Sequence, residues 1–387
     1  MKKRYTYKLR PGAAAVESLR NEYSRCRWVW NECVHQFRSR QKPTAKKLDA
    51  FLTKARSEME WLRDGSSVVQ QQTIRDYASA LNHSFTVKGR GRPRLKTRKR
   101  DPYVSLNYTT RGFSIKDTRL KLAGGVTIPV VWSRELPSSP SSVRVYEDAA
   151  GWWWASFVVD APDPEQLPET NAAIGIDWGI KTTATTTSPD FDLEYQGHAK
   201  RQSKKLAKYQ KRMAFHYRKG AAEQSQEYKR AKKKTARVHR QIRWQRREAS
   251  RSWAQRVVRA HDAIAVEDFK PRFLSKSRMA RKAHDAAIGA LKRELIAQAQ
   301  TAGRTVVLAP PAYTTMTCSS CGSRAKNRLP LNERTFLCSE CGFTGDRDRN
   351  AARVVLYQAG FNLASVDGVR LGALRGEERP DGGIPRL

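Results

Sequence analysis

The sequence predicts a multidomain α+β chain: a helical domain inserted in a small β-barrel, then an α/β domain with an inserted four-cysteine ribbon. Three observations predict it. Short alternating runs separated by turn residues bracket a long helical stretch in the first part of the chain. Apolar, strand-like runs then alternate with helical stretches. Two Cys-x-x-Cys pairs interrupt that alternation near its end. At 387 residues the chain is long enough to bury one large core or two or three smaller ones.

The charge excludes many function classes at once. There are 74 Lys and Arg against 37 Asp and Glu, a net charge of +37. This is far more than solubility needs and predicts a polyanionic partner, because each neutralised phosphate releases counterions. No apolar run approaches the length of a membrane-spanning helix, so no membrane partner is expected. Met1-Lys-Lys-Arg-Tyr-Thr-Tyr has no apolar segment behind it and does not read as a signal peptide. The expected location is the cytoplasm, in association with the nucleoid.

Taken in order, residues 3–10 alternate as a strand with a basic side, and Pro11-Gly12 breaks it. From Ala13 to about Phe85 the pattern is helical, with Leu19, Tyr23, Cys26, Trp30, Cys33 and Phe37 at steps of three and four. Cys26 and Cys33 read as small buried hydrophobes. Asp64-Gly-Ser-Ser67 separates a further helix, Val68 to Phe85. A basic loop follows, with Lys88, Arg90, Arg92, Arg94, Lys96 and Arg98 among two glycines and a proline. It joins two ordered segments, so it reads as phosphate-gripping rather than as a solvated tail. Tyr103–Tyr108, Gly112–Asp117, Gly125–Val131, Ser142–Tyr146 and Trp152–Val159 are the predicted barrel strands, which the strand at 3–10 joins. The barrel is assigned to 1–12 and 86–168, the helical domain to 13–85, and Pro162–Glu169 to the linker.

The next stretch centres on Ile174-Gly-Ile-Asp177-Trp-Gly179, followed by β-branched Thr182–Thr187 and by Leu193–Tyr195: a three-strand meander with a carboxylate in an apolar strand. A carboxylate there is expensive unless a cation meets it. A structural salt bridge and a metal ligand are equally good readings of this stretch alone. His198 to about His261 is helical and basic, with 20 Lys and Arg against 3 Glu between Lys200 and Arg251. Gly220 marks the bend of a hairpin. With so few acids to offset it, this pair needs a polyanion beside it, and Lys204, Lys205, Lys208, Arg212, Lys233, Arg237 and Arg240 are its candidate contacts. Ala263–Val266 is a strand ending in the acids Glu267-Asp268. Pro271, a helix at Ala283–Ala302 and a strand at Thr305–Leu308 complete the run. Gly345-Asp346-Arg347-Asp348-Arg349-Asn350-Ala-Ala opens a last helix. This order of elements fits a ribonuclease-H-like α/β fold. Residues 361–387 carry no periodicity and read as disordered.

Three acidic points, two at strand ends and one at a helix start, can converge on a pair of divalent cations, which favour oxygen ligands. At the helix start, capping alone is enough to explain Asp346. Cys318-x-x-Cys321 and Cys338-x-x-Cys341, sixteen residues apart and each followed by Gly, read as one tetrahedral structural zinc site. A redox pair is the weaker alternative.

The succession GIDWG, VED, four cysteines and DRDRNAA resembles the RuvC-type nuclease of the TnpB transposon-encoded proteins and of the compact type V CRISPR effectors descended from them. The similarity runs from about Ile174 to about Tyr357 and more loosely over the whole chain. It implies a helical recognition domain in a wedge-like β-barrel (13–85 within 1–12 and 86–168). It implies next a RuvC nuclease at 172–311 and 345–360, with its basic hairpin at 198–261 and a zinc ribbon at 312–344. The implied activity is RNA-guided DNA endonuclease. Its triad maps onto Asp177, Glu267 and Asp348, the last through the family pattern Asp-x-Asn-Ala at Asp348–Ala351; Asp346 is set aside. The implied cofactors are two Mg²⁺ (or Mn²⁺), one Zn²⁺ and a guide RNA. The implied partners are that RNA and double-stranded target DNA with a short adjacent motif, and the chain is expected to be a monomer. A repressor-like protein that binds without cutting, and a resolvase-like nuclease without a guide, are the alternatives. Retention of all three acids favours an enzyme over the first. The helical and barrel domains and the charge disfavour the second.

Overall fold

In the computed structural model the described residues are 1–39, 44–164, 166–221, 223–270, 274, 276–330 and 333–361. Pro271 and the tail beyond residue 361 therefore lie outside the described residues. The chain forms two compact units, one of Met1–Asp163 with Lys232–Arg237, the other of Pro164–Ala231 with Val238 onward.

The first unit opens with β1 (Lys2–Leu9), followed by helices α1 (Ala13–Arg38), α2 (Ala45–Glu58), α3 (Glu60–Arg63) and α4 (Ser67–Thr86). Strands β2 (Ser105–Thr109), β3 (Phe113–Lys116), β4 (Arg119–Leu122), β5 (Thr127–Val131), β6 (Ser142–Glu147) and β7 (Trp153–Asp160) follow. The strand at Arg119–Leu122 escaped the sequence reading because a run of four residues is short even though it alternates. The seven strands make one sheet in the order β2-β6-β7-β1-β5-β4-β3. The predicted barrel is thus a curled sheet whose end strands β2 and β3 do not pair. Its curl is set by a shared core: Leu106 and Val143 from one end meet Leu120 and Ile128 from the other around Tyr7 and Phe157. Cys26 and Cys33 are buried on α1, and burial pushes both thiols up to about 12, so they pack as inert hydrophobes.

The second unit begins with β8 (Ala173–Trp178), β9 (Thr182–Thr186) and β10 (Leu193–Glu194), then α5 (His198–Arg201), α6 (Ser203–Phe215) and α7 (Gln226–Ala260). It continues through β11 (Ala263–Glu267), α8 (Ala280–Ala286), α9 (Ile288–Thr301), β12 (Thr305–Ala309), the hairpin β13 (Thr335–Leu337) and β14 (Thr344–Asp346), and α10 (Arg347–Gln358). The five-stranded sheet runs β10-β9-β8-β11-β12, with β8, β11 and β12 parallel and β9 antiparallel to β8.

Side-chain size sorts its two faces. Ile174, Ile176, Ile264 and Val266 point to Trp253, Val257, Leu291 and Leu295 of α7 and α9. The alternate positions Ala173, Ala263 and Ala265 point to Val355 and Leu356 of α10.

The single helix predicted over 283–302 is two. Ala287 takes a left-handed φ of 53° between α8 and α9. The break turns Asp285 inward, where it accepts hydrogen bonds from the backbone N–H of Ala199 (2.8 Å) and from Arg246 Nη2 (2.8 Å) and Tyr195 Oη (2.8 Å). That buried carboxylate fastens the start of the basic hairpin to the sheet.

Candidate active site

The small-residue face of the sheet determines where the acids go. Asp177 follows Ala173 and Gly175 at steps of two, so it shares the face that α10 covers. Glu267 follows Ala263 and Ala265 in the same way. The parallel register pairs Ile176 with Val266, which sets the two acids side by side one residue later. Gly175 lets the helix close in: a Cβ there would lie 2.1 Å from the Ala352 carbonyl oxygen. Asp348 sits one helical turn before Ala352, on the same side of α10. The Gly175–Ala352 contact thus brings Asp348 over Asp177.

The electrostatics record the convergence. Asp177 is 7% exposed and Glu267 6%. Burial first, then the Glu267 and Asp348 carboxylates, push the Asp177 carboxyl well above the usual range, while Arg347 and the Trp178 N–H oppose them. Burial raises Glu267 to about 7 against hydrogen bonds from Thr314 and Asp177. Thr314 Oγ1 donates to Glu267 Oε1 at 3.3 Å, and the Trp178 indole donates to the Glu267 carbonyl at 3.2 Å. Asp348 is held by Arg334 Nη1 at 2.6 Å and by Arg347 Nη2 at 3.3 Å. Two buried acids beside a third that is half-buried and paired with arginines make a carboxylate group that suits a divalent cation.

Every residue of Asp346–Ala352 has a task. Asp346 caps α10, its Oδ1 accepting the Arg349 N–H at 2.9 Å. Arg347 donates to the Pro330 carbonyl at 3.0 Å, and Arg349 to the Thr186 carbonyl at 2.6 Å and Asp192 at 2.8 Å. Asn350 is 1% exposed; it accepts from the Ser319 N–H at 2.9 Å and donates to the Thr317 carbonyl at 2.8 Å. It therefore ties the first cysteine knuckle to the helix that carries Asp348. Ala351 and Ala352 are the small residues that α10 needs against the sheet. The sequence reading gave no structural task to Gly175 or Asn350, which it quoted within motifs, and did not single out Thr314. For Gly175 a signal existed in the alternation of small and large residues in Ala-Ile-Gly-Ile-Asp; for Thr314 there was none.

The four cysteines come together. Cys318 Sγ lies 3.7 Å from Cys341 Sγ, and Cys321 Sγ lies 3.6 Å from Cys338 Sγ. Four sulfurs about 2.3 Å from a central zinc form a tetrahedron with edges of about 3.8 Å, so these separations fit that ion. Among the described residues these are the one group of three or more His, Cys, Asp or Glu whose ligand atoms all lie within 4.8 Å of one another. The three carboxylates are adjacent but do not close to that distance.

The candidate nucleic-acid contacts lie at the surface, apart from two. Lys88, Arg90, Arg92, Arg94, Arg98, Lys204, Lys205, Lys208, Arg212, Lys233 and Arg237 are exposed, whereas Lys96 and Arg240 are half-buried. Lys96 Nζ sits 3.8 Å above the Trp30 ring, and the Arg240 guanidinium 4.4 Å above Trp244. The basic loop is docked on α1: Trp30 Nε1 donates to the Arg94 carbonyl at 3.0 Å, and Asn31 pairs with the Lys96 backbone at 3.0 and 2.8 Å.

Two buried carboxylates on a mixed sheet, met by a third from a helix that is also tied to a four-thiol knuckle, define the class of site. Comparison with known proteins gives the family. Residues 156–278 match a family model described as a probable transposase, OrfB of IS605, and residues 289–355 match the Cas12f1-like TNB domain. A putative RNA-guided DNA endonuclease from Streptomyces pristinaespiralis is 31% identical, covering 100% of this chain and 99% of its own. The putative RNA-guided DNA endonuclease InsQ of Escherichia coli (strain K12) is 26% identical over 95% of each chain. In fold, the chain resembles Cas12f1 in a cryo-EM structure of its complex with sgRNA and target DNA, with a TM-score of 0.56 at 12% identity, covering 92% of this chain and 98% of that one. The chain belongs to the TnpB-like family of RNA-guided nucleases, which includes the compact Cas12f effectors.

Among the described residues, no helix is long and apolar enough to cross a membrane.

Proposed function

We propose that this protein is an RNA-guided DNA endonuclease that hydrolyses phosphodiester bonds of double-stranded target DNA at one RuvC-type site. The observation that carries the reading is the convergence of Asp177, Glu267 and Asp348 on the face of α10. Family membership supports it. We read the second unit as a ribonuclease-H-like domain with a zinc ribbon at 312–344, and the first as a wedge-like sheet with a helical recognition domain at 13–85. The guide RNA pairs with the target, and the protein grips the backbone and a short adjacent DNA motif. The chain works as a monomer in the bacterial cytoplasm, at the nucleoid.

Asp177, Glu267 and Asp348 would hold two Mg²⁺ ions, which when bound acidify a water and stabilise charge on the scissile phosphate. The chain's own groups prepare that site. Thr314 and Trp178 fix the Glu267 strand end. Arg347 and Arg334 balance Asp348 until ligation. To hold the ions, Asp177 and Glu267 would have to be in their charged forms, which burial disfavours. With a single site, the two DNA strands are cut one after the other.

The test is to purify the protein from cells at moderate salt, sequence the copurifying RNA, and supply DNA matching that RNA with Mg²⁺. Guide-dependent cleavage is the expected result. Protein free of RNA that cuts DNA would favour a guide-independent nuclease. RNA-loaded protein that binds matched DNA without cutting it would favour a repressor.

A further inference from the structure

We propose that the tip of the α6–α7 hairpin is a stacking platform for unpaired nucleobases. The proposal rests on the nucleic-acid reading above and assigns a ligand chemistry to one place within it.

Phe215, the last residue of α6, is 83% exposed, and Tyr217 is 54% exposed. The described residues of the turn that displays them are held by side-chain contacts. The Gln224 side chain closes it with two hydrogen bonds to Arg218, accepting its N–H at 2.9 Å and donating to its carbonyl at 2.6 Å. Gly220 supplies the left-handed φ of 79° that the reversal needs. Ser225 caps α7 by accepting the Tyr228 N–H at 3.2 Å. Tyr228 in turn supports Tyr217, with ring centroids 5.8 Å apart, and Phe215 meets the edge of His216 at 5.1 Å. The rings are therefore held in water by an ordered support, which forgoes the free energy of burying them.

The surroundings choose the occupant. Lys211, Arg212, Arg218 and Lys219 are exposed around the rings. The nearby Glu223 is paired with Lys229, and Glu227 lies in the first turn of α7. Cations interleaved with accessible aromatic faces fit an anionic strand whose bases are open to stacking. Cations alone would serve a duplex, whose bases show no free faces along its length. The rings are too interrupted by charge to form the continuous apolar patch that a protein face would cover.

The test uses the whole chain and fluorescence anisotropy. The probes are a single-stranded DNA, a single-stranded RNA and a covalently closed dumbbell duplex without unpaired ends. In Phe215→Ala/Tyr217→Ala, single-strand affinity should fall about tenfold or more, while dumbbell affinity and the salt slope stay within about twofold, because the phosphate contacts remain. The larger loss, on RNA or on DNA, identifies the strand. In Phe215→Trp, single-strand affinity should persist, and Trp fluorescence should be quenched by the single strand and not by the dumbbell. Equal losses on all probes, or unchanged single-strand affinity, would overturn the proposal while leaving the nucleic-acid reading intact. A wild-type chain that binds none of the probes would overturn both.

Discussion

The molecule holds two clusters of metal-ligand type joined by one helix, and they differ in how complete they are. The four thiols approach to 3.6 and 3.7 Å in pairs and need nothing but an ion at their centre. The three carboxylates stand beside one another but stay further apart, and two of them have protein partners: Thr314 on Glu267, Arg334 and Arg347 on Asp348. Charge is one reason. Buried carboxylates repel unless protonated or met by cations, whereas thiols can gather neutral. Role is the other. A structural site is closed by its own ligands, while a hydrolytic one keeps positions open for water and substrate. Asn350 connects the two, so the closed cluster steadies the helix that serves the open one.

The comparison breaks most completely at the thiols. Elemental analysis should give one zinc per chain in the wild type and none in Cys338→Ser, and cleavage should be lost with the zinc. In isolated zinc fingers such sites are worth about 10–16 kcal/mol of binding. Zinc retained with normal cleavage would contradict the four-thiol assignment.

Gly175→Ala should act at the junction. The added methyl meets the Ala352 carbonyl, so α10 must move and carry Asp348 away from Asp177. Overpacking of this kind costs about 1–3 kcal/mol. Chemical unfolding should show that loss, and cleavage should fall while zinc content is unchanged. A variant as stable and active as wild type would remove Gly175 from the account.

The smallest effect concerns protons. Glu267 binds its proton up to about pH 7 in the folded chain, above its ordinary range. Between those two values the folded state holds more protons than the unfolded, so this group lowers stability as pH rises through the window. Zinc-loaded, magnesium-free Glu267→Gln should therefore unfold at higher temperature than wild type at pH 8, and the gain should vanish near pH 5. An equal gain at both values would mean that the glutamine acts by packing alone.

How much of this was legible in the sequence depends on how local each signal is. Paired Cys-x-x-Cys spacings carry their chemistry in a few residues; a carboxylate in an apolar strand does not, since it reads equally as a salt bridge or a metal ligand, and the triad was assigned through the family resemblance. The alternation in Ala-Ile-Gly-Ile-Asp and Ala-Ile-Ala-Val-Glu holds the packing as well: small residues on one face, large on the other. Read only as apolar, it concealed which face bears the acids. The break at Ala287 was hidden because alanine is a strong helix former, and only the tertiary contacts of Asp285 justify its left-handed backbone. The sequence reading anticipated the curl of the first sheet as a barrel but not its open edge, since short alternating runs do not say that β2 and β3 fail to pair. Asp346 and Asp348 share a motif, and the backbone separates them: one carboxylate caps Arg349 N–H, the other adjoins Asp177.

The measurement closest to the central claim compares Asp177→Ala, Asp348→Ala and Asp346→Ala, each assayed for solubility, bound RNA, target binding and cleavage. Asp177→Ala and Asp348→Ala should be soluble, RNA-loaded and target-binding, with cleavage lost. Asp346→Ala should still cut, at the cost of a helix cap worth about 0.5–2 kcal/mol. An insoluble or poorly folded Asp177→Ala would instead make that carboxylate a buried salt-bridge partner, whose loss costs about 3–5 kcal/mol. A dead Asp346→Ala beside an active Asp348→Ala would move the third ligand by two residues and contradict the geometry.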